Sequence, residues 1–172
     1  MRALARRVWP RGAAGDRAVA SVDTLISRAE GISRATGQSA DEAAAVVVHD
    51  LEQAANALTT RTAPLVPGCG VLVAVSGLAV KAEPTKGNQV AEAFVSLAVL
   101  FAIAGFAFLT TALFLYAGRR TVGLSPTVND IGFARRRLVR KYTSAHRGGL
   151  LAGTGLACLI IGILAGVHIN IH

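Results

Sequence analysis

Apolar positions along this chain follow two patterns. From Ser21 to Thr62 they are spaced, and from Pro64 to Val167 they come in long runs. Val22, Leu25, Ile26, Ala29 and Ile32 keep the i, i+3, i+4, i+7 spacing of one helix face, with Ser21 as N-cap and Gly37 as a stop. Ser39-Ala40-Asp41-Glu42 matches a capping box, whose Ser and Glu side chains satisfy two orphan backbone N–H groups. The helix it opens is expected to reach about Thr62, with Ala44, Val47, Val48, Leu51, Ala55 and Leu58 as its apolar stripe. Residues 21–63 are thus expected to form a helical hairpin turning at Gly37–Ser39.

Three later runs are long enough to cross a hydrocarbon core ~30 Å thick as helices: about 64–80, 93–118 and 148–167. The last, GGLLAGTGLACLIIGILAGV, holds no charged residue. Pro64 and Pro67 suit the first turn of a new helix or a kink in a continuous one. Lys81–Glu92 reads as a polar loop, and Arg119–Val128 as a turn through Gly123 and Ser125-Pro126. A helix is then expected from Asn129 or Asp130, with a narrow stripe of Ile131, Ala134, Leu138, Tyr142 and Ala145. It is expected to run into the third span, with Gly148-Gly149 as a hinge. The predicted fold is an all-α membrane protein: an N-terminal cytosolic helical hairpin, three transmembrane helices, and a basic amphipathic helix continuous with the third. Residues 1–20 are expected to be a flexible basic tail, 21–63 the hairpin, and 64–172 the membrane domain.

Composition agrees with this reading, since 52% of the 172 residues are hydrophobic, too many for an ordinary soluble domain. Charge adds an orientation. The net +8 divides into about +1 over residues 1–63, zero over Lys81–Glu92 and +7 over Arg119–Arg147. Basic loops stay on the cytoplasmic side, so the N-terminus and Arg119–Arg147 are expected inside, in a multi-pass protein of the cell inner membrane. The cluster Arg135, Arg136, Arg137, Arg140 and Lys141 has three readings. It is a topology signal, or it contacts anionic lipid, gaining ~1 kcal/mol per basic residue near the surface. As a nucleotide or nucleic-acid site it lacks a phosphate loop and interleaved aromatics, so no nucleic-acid partner is expected.

Candidate chemistry is sparse. No G-x-S-x-G, H-E-x-x-H or phosphate-binding glycine loop occurs, so no enzyme activity, cofactor or metal is expected. Cys69 and Cys158 fall in apolar runs without ligand spacing, and His168 and His172 alone make a weak metal pair. What stands out in the third span is a seam. Gly148, Ala152, Gly155, Leu159, Gly162 and Gly166 recur at four, three, four, three and four. In lipid, helices meet where small residues let backbones approach. The seam therefore packs either on the small faces of the first two spans (Gly70/Ala74/Gly77 and Ala98/Ala102/Gly105) or between subunits, with Gly155 and Gly162 lining the contact.

The order of elements carries a resemblance. An amphipathic N-terminal segment precedes two close spans, followed by a basic helix with Lys141-Tyr142 that enters a last span. Over roughly Ala54–Val167, and most strongly IGFARRRLVRKYTSAHRGGLLAGTGLACLIIGILAGV at Ile131–Val167, the chain resembles the membrane module of Pycsar-type transmembrane effectors. It also resembles the SLATT-like membrane proteins of bacterial anti-phage systems, whose relatives include integral membrane plasmid transfer proteins. The acidic/Thr/Lys motif expected before the first span stands here as Thr60-Arg61-Thr62-Ala63, and the sequence holds no cyclic-nucleotide-binding domain. The resemblance implies a homo-oligomeric effector that impairs the membrane in anti-phage defence, or else a non-lytic scaffold. It also implies sensing by the N-terminal helices or by a nucleotide-sensing partner.

Overall fold

A computed structural model describes residues 18–81, 88–114 and 126–169. Residues 1–17 of the expected tail, the loop around Gly87, the end of the second span past Phe114, the turn at Gly123 and the side chains of His168 and His172 lie outside the described residues. All regular elements in the described residues are helices: α1 (Val22–Thr36), α2 (Ala40–Thr62), α3 (Leu65–Lys81), α4 (Gln89–Phe114) and α5 (Val128–Ile169).

Local chemistry sets the helix ends. Ser21 Oγ accepts from the Thr24 N–H at 3.2 Å and opens α1. Gly37 closes it in the left-handed region (φ 71°), its N–H reaching Ser33 O at 2.9 Å. The capping box opens α2: Ser39 N–H donates to Glu42 Oε2 (2.9 Å) and Glu42 N–H to Ser39 Oγ (3.2 Å). Ala63 and Pro64 form a turn between α2 and α3; proline at this point supplies no N–H for a continuing helix.

Two starts differ from the sequence expectation. α4 begins at Gln89 instead of Ala93, because Asn88 Oδ1 caps it, accepting from the N–H groups of Val90 (3.2 Å) and Ala91 (3.3 Å). α5 begins at Val128, ahead of both expected caps. Asp130 acts from inside the first turn, accepting from Thr127 N–H (2.8 Å) and Thr127 Oγ1 (3.0 Å). No hinge interrupts α5: it is one helix of 42 residues through Gly148-Gly149.

The chain divides into two compact units that cut across its linear order. The first contains α1, α2 through Arg61, and α5 through Thr143. Its core is Leu25, Ala29, Val47, Val48, Leu51, Ile131 and Leu138 with the small residues between them. Arg28 and Asp50 pair across α1 and α2 at 2.9 Å.

The second unit contains α3, most of α4 and α5 from Ser144. Here small residues take much of the interior: Ala91, Ala98 and Ala102 are fully buried and the glycines at 105, 155 and 162 are buried, beside Leu72, Val95, Leu109 and Leu159. Many other large residues face outward: Leu78 is 72% exposed, Leu100 64%, Leu164 63% and Val71 63%. Water would penalise such a surface and hydrocarbon would not. Three helical stretches, Ala40–Lys81, Gln89–Phe114 and Val128–Val167, are long and apolar enough to cross a membrane. The chain is an all-helical membrane protein.

Candidate functional site

The candidate site lies on α5. The buried residues of this helix keep a strict three–four alternation from end to end: Ile131, Ala134, Leu138, Lys141, Ala145, Gly148, then Gly155, Leu159, Gly162 and Gly166, with half-buried Ala152 in its proper place. This is the spacing of a coiled-coil seam. The expected stripe differs at one step, where Lys141 takes the inward position and Tyr142 is half-buried.

In the second unit the seam meets α4 in antiparallel register. A Cβ on Gly148 would stand 2.6 Å from Leu109 Cγ, and one on Gly105 would stand 3.1 Å from Gly148 O. One on Gly155 would meet Ala98 O at 3.1 Å, and one on Gly162 would meet Val95 Cγ2 at 2.9 Å. At the far end Asn88 Nδ2 donates to Ala165 O at 3.4 Å. Within the chain the seam meets the expected small face of α4, but not that of the first span: Gly70, Ala74 and Gly77 are exposed, and α3 reaches Gly155 with Leu72 instead. The outer pair Gly149 and Gly153 meets nothing within 4 Å of an added Cβ.

The five basic residues separate by their place around the helix. Lys141 is 7% exposed. Its Nζ donates to Thr59 Oγ1 on α2, and the Thr59 hydroxyl donates to Ala55 O at 3.0 Å. Burial, and behind it the like charge of Arg137, holds this ammonium below the ordinary lysine value. Arg135 Nε donates to Ala20 O at 2.6 Å, tying α5 to the residue before the α1 cap. Arg137 is half-buried, while Arg136 and Arg140 are exposed. Lys141 therefore belongs to the bundle interior in this structure, and Arg136 and Arg140 are the cations it turns outward. Phe133, 42% exposed, lies one turn before Arg136.

No family model, curated protein or solved structure matches this chain. The site must be read from its own chemistry. Among the described residues no three His, Cys, Asp or Glu side chains come together as a metal set. A half-open hollow of about 280 Å³ between α1 and the start of α2 carries Glu30 and Arg34, which face each other at 3.7 Å over an apolar floor. Nothing there pairs a nucleophile with a base. The distinctive chemistry is that of α5: one buried ammonium in a long apolar seam, and exposed guanidiniums on the opposite side.

The burial of Lys141 had a signal in the sequence. Stepping back from Gly148 by three and four lands on Ala145, Lys141, Leu138, Ala134 and Ile131. Tyr142, one position on, gave the same stretch a competing and more apolar stripe.

Proposed function

We propose that this chain is a small effector of a bacterial inner membrane, with its N-terminus and basic helix in the cytoplasm, that assembles and impairs the bilayer when triggered. The observation that carries the reading is α5. One unbroken helix packs through its first part among α1 and α2, and through its last part among apolar helices suited to lipid. α5 is the element that both units share, as the effector reading requires of a link between trigger and membrane. The resemblance to the transmembrane effectors of anti-phage systems supports the same reading.

Exposed cations would seat the helix at an anionic leaflet. Arg140 precedes Gly148 by eight residues, so at ~1.5 Å per residue it stands ~12 Å outside the apolar stretch. A headgroup layer of roughly 5–7 Å and a long side chain bring it within contact. Arg136, ~18 Å out, reaches only the edge of that layer.

One observation favours the alternative, a non-lytic scaffold such as a component of a transfer apparatus. The glycine seam that an assembling effector would use between subunits is filled by α4 of the same chain. Expression in a bacterium separates the two. An effector collapses the membrane potential and slows growth; truncation before Gly148 relieves both, and Arg136→Gln with Arg140→Gln weakens the effect. Normal potential at high membrane abundance of the full chain would reject the effector and favour the scaffold.

A further inference from the structure

Lys141 is the one charged residue among the eleven seam positions of α5 from Ile131 to Gly166. An ammonium carries three donors, and among the described residues one hydrogen bond, to the Thr59 hydroxyl, is formed. The carboxylate pairs seen among the described residues, Arg28–Asp50 and Glu30–Arg34, do not involve it. The charged neighbour that acts on it is Arg137, one turn earlier and of the same sign. A buried charge without a counter-charge opposes the packing that buries it. Its seam neighbours, Ala134 and Ala145 on either side of Leu138 and Lys141, are small and supply little apolar area in compensation.

We infer that the Thr59–Lys141 contact is a metastable joint between α2 and α5, the place where the first unit opens, with Lys141 turning from the seam into water as it does so. The resting state holds because Ile131, Leu138, Val47 and Val48 are packed beyond it. The joint keeps the opening cost low at one defined turn. Its use as the release point for triggering rests on the effector reading; its existence does not.

Lys141→Met keeps the length and volume of the side chain and removes the charge. In the purified full-length protein it should raise the thermal midpoint. It should also slow amide hydrogen exchange in residues 56–62 and 136–146 by about tenfold, with little change in residues 95–110. Thr59→Val, which strands the ammonium, should do the reverse at the same amides. Unchanged or faster exchange in Lys141→Met would overturn the inference, because the lysine would then be supporting the seam. The bacterial assay tests the link to triggering. If the natural chain depolarises cells, Lys141→Met should depolarise them less, and equal depolarisation with slowed exchange would reject that link. If the natural chain does not depolarise cells, the effector reading fails and the exchange result still decides the joint.

Discussion

Replacing Gly155 and Gly162 together by leucine should remove most of the folded monomer from the membrane. A Cβ at Gly155 would lie 3.1 Å from Ala98 O and 3.3 Å from Leu72 Cδ2. At Gly162 it would lie 2.9 Å from Val95 Cγ2 and 3.2 Å from Ala91 O. Carbonyl oxygens of α4 cannot rotate out of the way as a side-chain tip can, so the whole helix must retreat. Overpacking costs about 1–3 kcal/mol per site, and two sites on one interface approach the 5–15 kcal/mol of a typical domain. Gly149→Leu with Gly153→Leu adds the same atoms to a face that is open and should leave abundance near normal. Quantitative blotting of membrane fractions, with protease resistance of the spans as a second readout, checks both. A double variant at 155 and 162 that keeps its monomer and loses only cross-linked oligomers would place the seam between subunits.

Val47→Asp should unfold the first unit and leave the second inserted. Val47 is fully buried in the core formed with Leu25, Ile131 and Leu138. The new carboxylate would sit among the apolar side chains of that cluster, at a cost of about 3–4 kcal/mol. Limited trypsin digestion of the membrane-bound protein should then cut rapidly at Arg28, Arg34, Arg61 and within Arg135–Lys141, while fragments beginning at Thr62 and after Lys141 stay in the membrane. The neighbouring Val46→Asp is the control. Val46 is 43% exposed, and its variant should digest like the natural chain. Loss of the whole protein from the membrane with Val47→Asp would mean that the two units do not fold separately.

Most of the helices could be read before any coordinates, because their signals are local. Ser21, Gly37, Ser39 and Glu42 act within a turn of themselves, and the caps appear where the residues stand. The start of α4 was hidden because Gln89–Glu92 is as polar as a loop. Its helicity depends on a single cap from Asn88. The grouping into units was hidden for a different reason. Pairing of Ile131 and Leu138 with Val47 and Val48 is a contact across more than eighty residues, and no local period encodes it.

The candidate site was half legible. The six seam positions from Gly148 to Gly166 could be listed from spacing, since glycine and alanine repeat with little competition. Upstream, one residue of phase is 100° of rotation, enough to exchange Tyr142 for Lys141 on the inner face. The same rotation decides which guanidiniums face outward. Five cations in seven residues look alike in sequence, yet Lys141 is inside, Arg135 is spent on Ala20 O, and Arg136 and Arg140 are exposed. Which packing the glycine seam adopts was open for want of a partner. α4 supplies one through Ala91, Ala98 and Gly105, at intervals of seven that match Gly162, Gly155 and Gly148.

Topology mapping tests the three crossings and the proposed cytoplasmic side of the first unit most directly. Reporter fusions in a bacterium would be placed at Gln38, at Gly87, at Gly123 and after His172. Cytoplasmic signals are expected at Gln38 and Gly123, and external ones at Gly87 and after His172, following the charge totals of +1, zero and +7. A cytoplasmic signal at Gly87 or after His172 would contradict the three-crossing arrangement, and an external one at Gln38 would put the first unit on the wrong side of the membrane.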